Sequence, residues 1–185
     1  MKRKKRMVLF AALMAVFIFT GCGTGSEEGG SSENGGNGSG REFGAFEAEL
    51  FGGGVTGDKI FEEAEVTMVN VWATYCGYCI DEMPYFKEFS EAYNDRGFQV
   101  VGIVTDAASA EDEAVGRIIE ETGADYPQIV FNRSMFDTYL KDVQAVPATV
   151  FVDKNGKIIE EYLGAKSRED WEKIIEELLR SSLEL

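Results

Sequence analysis

The sequence contains no histidine and only three cysteines, Cys22, Cys76 and Cys79. A zinc site needs about four ligands, commonly two cysteine pairs or one pair with histidines. Cys76 and Cys79 are the only two cysteines that lie close together in the chain. The composition therefore argues against a zinc site, and we predict that the chain holds no metal.

Basic residues are scarce relative to acidic ones. The chain has 18 Lys and Arg against 33 Asp and Glu, which gives a formal net charge of -15 at pH 7. A strongly acidic surface repels nucleic acid and anionic membranes. We therefore expect no nucleic-acid partner, and any attachment to a membrane must come from lipid rather than from charge.

Long hydrophobic runs are absent apart from one near the N-terminus. The run from Met7 to Thr20 follows the basic stretch MKRKKR, and it is shorter than the roughly 20 residues needed to span a bilayer. A basic end, a short apolar stretch and small residues at a cleavage point are typical of a secretory signal. We predict that residues 1–21 are such a signal, with an uncleaved anchor as the weaker alternative.

The residues around Cys22 indicate how an exported chain would be held. Thr20 and Gly21 directly before Cys22 resemble a bacterial lipobox, in which the cysteine is acylated and becomes the new N-terminus. Lipidation would also explain the odd number of cysteines, since an exported protein with three would leave one unpaired. The alternative is an incidental cysteine near an ordinary cleavage site. We predict a lipid-anchored protein on the extracytoplasmic face of a bacterial cell membrane.

A low-complexity segment separates this N-terminal region from the globular part. Residues 23–40 hold eight glycines and four serines among 18 residues. Such a composition is typical of a flexible linker. We predict a tether over residues 22–43 and one globular domain over residues 44–185.

The domain alternates strand and helix patterns. Apolar, β-rich runs predict strands buried on both faces at Val66–Trp72 and Phe98–Val104. The other predicted elements are a short strand within 46–51, helices at 76–94, 111–122 and 134–140, a hairpin around Asn155 and Gly156, and a last helix capped by Ser167. This order predicts an α/β fold, with a central mixed sheet covered on both faces by helices and a short N-terminal β extension.

Cys76 and Cys79 lie where the first buried strand gives way to its helix. A structural staple is a poor interpretation, because so short a loop constrains little of the unfolded chain. At a helix N-terminus, free N–H groups and the helix dipole favour the thiolate form of Cys76. Cys79, one turn on, can resolve the resulting mixed disulfide. The spacing predicts a redox pair, with Cys76 as nucleophile, Cys79 as resolving cysteine and no cofactor beyond their disulfide.

Two segments carry a family resemblance. The stretch "VNVWATYCGYCIDEMP" together with "AVPATVFVDKNGKI" resembles the membrane-anchored, thioredoxin-like thiol-disulfide oxidoreductases of the TlpA/ResA group, over roughly residues 44–182. The resemblance implies a thioredoxin-like fold. It also implies that Pro147 follows a cis bond beside the cysteines and that the backbone of Val146 pairs with an extended substrate.

Further site residues follow from the resemblance and from spacing. Glu82 matches the acidic residue of the family, one helical turn after Cys79, where a carboxylate can accept a thiol proton and raise thiol pKa values. A solvated acid in an early helical turn is the alternative. Asn70 stands where ordinary thioredoxins carry a buried aspartate, and it cannot titrate. Trp72 and Tyr75 are candidates for the docking surface, or for simple core packing. Trp171 is assigned to packing.

The resemblance also implies partners. They are protein clients with disulfides, such as apocytochrome c or a methionine sulfoxide reductase, and a CcdA- or DsbD-like membrane donor of electrons. Tyr78 departs from the proline of the commoner reductive motif, so a disulfide isomerase or oxidase is an alternative to a reductase. From another class, a copper-binding assembly protein is the alternative, although such proteins usually have a wider cysteine spacing and a histidine.

Overall fold

The computed structural model describes residues 40–182. The predicted signal over residues 1–21, Cys22 and the tether up to residue 39 lie outside the described residues. Within residues 40–182, no helix is both long enough and apolar enough to cross a bilayer.

The described part of the chain is an α/β domain built on a five-stranded mixed sheet, as the sequence predicts. Its strands lie in the order β5-β4-β3-β6-β7: β3, β4 and β5 are parallel to one another, β6 is antiparallel to β3, and β7 is antiparallel to β6. A separate hairpin of β1 and β2 forms the N-terminal β extension. The elements are β1 (Glu47–Glu49), β2 (Val55–Gly57), β3 (Val66–Trp72), α1 (Gly77–Tyr93), β4 (Phe98–Val104), α2 (Glu113–Thr122), β5 (Gln128–Val130), β6 (Ala148–Asp153), β7 (Ile158–Leu163) and α3 (Arg168–Ser182).

Strand β3 is the centre of the fold. All seven of its residues are buried, because β4 pairs with it on one side and β6 on the other. Met68 and Trp72 face the core that α1 and α3 cover, whereas Val69 and Val71 face a second core on the opposite side of the sheet. Burial of each such side chain is worth about 1.5–3 kcal/mol. The two cores together fix the position at which β3 ends.

The helix starts follow local capping. The Ser167 side chain accepts the backbone N–H of Asp170 and so begins α3, as predicted. The helix predicted at 134–140 is instead two short 3-10 segments, Arg133–Met135 and Tyr139–Asp142. The physical reason is that the hydroxyl of Thr138 accepts the N–H of Leu140 and begins a new turn there.

The domain begins slightly before residue 44. Phe43 is buried, and its N–H donates to the carbonyl of Gly156 over 2.8 Å. Arg41 forms ion pairs with Asp142 and Glu161. Residues 41–43, which the sequence assigns to the tether, therefore contact the domain.

A glycine in β4 makes room for a polar contact beside β3. Gly102 pairs with Gln128 of β5, and a Cβ at position 102 would lie 1.9 Å from the side-chain Oε1 of Gln128. That oxygen accepts the indole N–H of Trp72 over 3.0 Å, and the Gln128 amide donates to the carbonyl of Ala124 over 3.2 Å. The buried Gln128 amide is therefore hydrogen-bonded through both its oxygen and its nitrogen, and it has little freedom to move aside.

We expect Gly102→Ala to destabilise the domain by about 1–3 kcal/mol, because the new methyl group displaces the Gln128 side chain from its hydrogen bonds. Urea unfolding of the purified protein measures this loss. Gly77→Ala is the matched control, since a Cβ at position 77 meets no atom within 4 Å. Equal losses in the two variants would contradict the steric account.

Candidate active site

The two cysteines form a disulfide at the start of α1. Cys76 is the N-cap residue of this helix, and its Sγ accepts the backbone N–H of Cys79 over 3.2 Å. The first turn of the helix therefore directs an N–H donor at the sulfur of Cys76. Such a donor and the positive end of the helix dipole stabilise a thiolate at this position once the disulfide is reduced.

The two sulfur-bearing residues differ in accessibility. Both belong to the core that α1 covers, but Cys76 keeps 7% of its surface exposed, whereas Cys79 keeps none. A disulfide in another protein can therefore approach Cys76 but not Cys79. This arrangement fits the roles that the sequence predicts for the pair, with the accessible Cys76 as the reacting cysteine and the buried Cys79 as the resolving cysteine.

Asp106 holds the turn that carries Cys76, and the sequence analysis does not identify this residue. Its carboxylate accepts the backbone N–H of Thr74 at 3.0 and 3.1 Å and the Thr74 hydroxyl at 2.6 Å. One feature of the sequence could have identified Asp106: it comes just after β4. The carboxyl ends of the parallel neighbours β3 and β4 meet at the same edge of the sheet, so a residue that follows β4 lies near the turn that follows β3.

The Val146–Pro147 peptide bond is cis, which confirms the prediction made for it. Val146 and Tyr75 line one groove, together with the apolar side chains of Phe131 and Phe136. Tyr75 is 78% exposed and Phe136 is 60% exposed. Phe136 is a further groove residue that sequence patterns do not single out, because it lies in an irregular segment between β5 and β6.

The prediction that Trp72 lines the docking surface is wrong. The residue is fully buried on the face of β3 that packs under α1. Its indole N–H donates to Gln128 and points into the protein. Trp72 is therefore a core residue beneath the site, which agrees with the alternative prediction of simple core packing.

Glu82 is buried, with 2% of its surface exposed, so it is not a solvated acid. One carboxylate oxygen, Oε1, accepts the indole N–H of Trp171 over 2.6 Å and the backbone N–H of Lys166 over 2.8 Å. Desolvation by burial raises the pKa of Glu82, and the negative charge of Asp81 adds to the rise. The two hydrogen bonds and the positive charge of Lys166 oppose it.

Glu82 and Cys79 lie on the same side of α1. They are three residues apart, about one turn, and both are buried. Asn70, on β3, is also fully buried and carries an amide that cannot titrate. The structure therefore places one buried carboxylate, that of Glu82, on the helix face that bears the inner cysteine.

The arrangement suits dithiol–disulfide chemistry, and no group of three or more His, Cys, Asp or Glu side chains within residues 40–182 is placed to hold a metal ion. The family model for Redoxin matches residues 55–179, which is most of the chain. This chain belongs to the Redoxin family.

Individual relatives agree with the family. Over 105 residues the chain is 29% identical to the thiol-disulfide oxidoreductase ResA of Bacillus anthracis, covering 56% of this chain and 58% of the relative. It is 28% identical over 110 residues to ResA of Geobacillus kaustophilus (strain HTA426), covering 60% of this chain and 61% of the relative. The chain thus spans about three-fifths of the length of the curated relatives it matches.

Solved structures show the same fold. The thioredoxin domain of a thiol-disulfide oxidoreductase from Bacteroides vulgatus has a TM-score of 0.64 at 23% identity, covering 76% of this chain and 96% of that one. A thiol:disulfide interchange protein from Chlorobium tepidum TLS has a TM-score of 0.64 at 20% identity, covering 75% and 95%. This Redoxin-family chain therefore has a thioredoxin-like fold.

The buried carboxylate predicts how stability depends on pH. Because the folded pKa of Glu82 is raised, the folded state holds the Glu82 proton more tightly than the unfolded state does, and stability is lost as pH rises above the unfolded value near 4.5. Each unit of such a rise is worth about 1.4 kcal/mol. Glu82→Gln removes this dependence, so we expect the stability of the variant relative to wild type to increase from pH 4 to pH 7.

Urea unfolding of the disulfide form across this pH range measures the effect without thiol titration. Asp81→Asn is the matched control, because it removes an exposed neighbouring carboxylate. A difference between Glu82→Gln and wild type that is constant with pH, or that shrinks as pH rises, would show that the Glu82 pKa is not raised.

Proposed function

We propose that this protein is an extracytoplasmic, membrane-anchored thiol-disulfide oxidoreductase that reduces disulfides in exported client proteins. The observation that carries the proposal is the position of Cys76, whose sulfur caps α1 and which keeps 7% of its surface accessible, while Cys79 keeps none. The similarity to proteins named thiol-disulfide oxidoreductase ResA supports the same activity.

The reaction needs only the two cysteines and a proton acceptor. The Cys76 thiolate attacks a client disulfide, forms a mixed disulfide and releases one client sulfur as a thiolate, which takes up a proton. Cys79 then gives its proton to Glu82 and attacks the Sγ of Cys76. The Cys76–Cys79 disulfide forms, the second client thiol is released, and two electrons have passed from the protein to the client.

Clients dock in the groove beside the cysteines. Its wall is apolar where Tyr75, Phe136 and Val146 meet, and Tyr75 and Phe136 are largely exposed. The backbone of Val146, ahead of the cis bond to Pro147, pairs with an extended client segment, as the family resemblance implies. An unfolded chain presents such a segment more readily than a folded surface does.

The location and partners rest on the N-terminal sequence and on the resemblance. Cys22 carries the lipid, and residues 22–39 connect it to the domain. Because the outside of the cell lacks the cytosolic pool of thiols, a sustained reductase needs electrons carried across the membrane. A CcdA- or DsbD-like protein supplies them, and the clients are apocytochrome c or an exported oxidoreductase such as a methionine sulfoxide reductase.

The two cysteine variants test the proposal. We expect Cys79→Ser to accumulate mixed disulfides between Cys76 and client proteins, because the resolving sulfur is missing. Cys76→Ser should form few through the active site, since Cys79, the cysteine of the pair that it keeps, is buried. Non-reducing gels of protein incubated with an oxidised client, followed by mass mapping of the linked peptides, measure both.

The matched pair of variants separates the roles of the two sulfurs, since each variant keeps one cysteine of the Cys76–Cys79 pair and both keep Cys22. Equal trapping by the two variants would show that the assignment of nucleophile and resolving cysteine is wrong. No trapping by Cys79→Ser would contradict disulfide exchange itself.

A further inference from the structure

The two oxygens of the Glu82 carboxylate have different surroundings. Oε1 takes both hydrogen bonds, from the indole of Trp171 and from the backbone of Lys166. Oε2 is buried and has no hydrogen-bond partner in the part of the chain that the structure describes. Of the two oxygens, Oε2 is therefore the one with a free position for a proton.

Aromatic packing around Trp171 fixes the direction of its indole N–H. It is fully buried, and its ring meets the edges of three aromatic neighbours with centroids 5.5–6.2 Å away. These neighbours are Phe86, Phe151 and Tyr162. A tryptophan placed only for packing need not direct its N–H at a buried carboxylate, whereas this one does so across 89 residues of sequence.

Other charged or titratable groups also act on Glu82. Lys166 contributes a positive charge, and its Nζ lies over the rings of Tyr162 at 4.6 Å and Trp171 at 5.9 Å. Asp81 contributes a negative charge from the same helix. Burial raises the pKa of the Tyr126 hydroxyl, and the Glu82 charge adds to that rise. None of these side-chain charges fixes the orientation of the carboxylate, because no hydrogen bond joins the side chain of Lys166, Asp81 or Tyr126 to Oε1 in the described part of the chain.

We propose that Trp171 is a positioning residue for the resolving step: its indole N–H and the Lys166 N–H hold Oε1 of Glu82, which leaves Oε2 to accept the proton of Cys79. This inference rests on the proposed function, in which Glu82 is the proton acceptor. Because both bonds favour the carboxylate over the acid, they also oppose the rise in the Glu82 pKa that burial causes.

The proton then has a route to water. Glu82 lines a cleft whose other walls include Tyr78, Asp81, Lys166 and Arg168. Tyr78 lies between the two cysteines in the sequence, so one wall of the cleft belongs to the segment that carries the disulfide. The acid formed at Oε2 loses its proton to solvent through this cleft, and the carboxylate is restored for the next turnover.

Trp171→Phe removes the N–H and keeps an aromatic ring in the core. In the disulfide form, we expect the pKa of Glu82, followed by carbon-13 NMR of its carboxyl group, to rise by about 1–2 units. In the reduced form, we expect the pH at which the resolving step becomes slow to move upward by the same amount. Release of the second thiol from the small disulfide 5,5′-dithiobis(2-nitrobenzoate) reports that step, and at higher pH the variant should regain the wild-type rate.

Tyr93→Phe is the matched control. It removes another hydrogen bond between α1 and α3, the one from the Tyr93 hydroxyl to Glu172. A role of Trp171 in stability alone would lower stability in both variants and leave both pH profiles where wild type has them. That result, or a shift of the Glu82 pKa without a shift of the rate profile, would overturn the proposal.

A second pair of variants serves if Trp171→Phe does not fold. Lys166→Pro removes the other N–H to Oε1, and Lys166→Ala keeps it while removing the same side-chain charge. We expect the Glu82 pKa to be higher in the proline variant than in the alanine variant, and equal values would overturn the proposal. Because the titration uses the disulfide form and the kinetics use a small disulfide, both remain informative if no protein client is reduced.

Discussion

The site depends on one constraint, the fixed end of β3 at Trp72, from which a short turn leads into α1 at Gly77. Because β3 is buried between β4 and β6, its end is fixed by the sheet, and the turn that follows is tied to Asp106. That turn delivers Cys76 to the N-cap of α1, where the helix supplies an N–H to its sulfur. The accessibility of one cysteine and the burial of the other follow from this position.

A single buried carboxylate is the second distinctive feature of this acidic domain. Among the acidic residues that the structure describes, Glu82 alone is buried, and it lies on the helix that carries the cysteines. A buried carboxylate is costly unless hydrogen bonds stabilise it. The bonds from Trp171 and Lys166 provide that stabilisation, and they connect α3 and its preceding loop to the chemistry at the start of α1.

The sequence predicts the central elements well, because their signals are local. The bounds of β3 and β4 agree with the apolar runs, and the cysteine pair predicts the site at the start of α1. The role of Trp171 could not be predicted, because its bond to Glu82 spans 89 residues and looks like helix packing in the sequence. The prediction that Trp72 lies on the docking surface is wrong because the alternation of side chains along a strand does not show which of them reach the surface. Phe136 and Asp106 lie in irregular segments with no periodic pattern.

The most direct test of this account is the selectivity of alkylation in the reduced protein. A limiting amount of iodoacetamide should modify Cys76 first, because it lies at the helix N-terminus and is the more accessible of the pair, and should reach Cys79 only when the protein is unfolded. Peptide mass mapping after partial reaction distinguishes the two sites. Equal modification of both cysteines in the folded protein, or faster modification of Cys79, would contradict the placement of the reacting sulfur on which the proposed function depends.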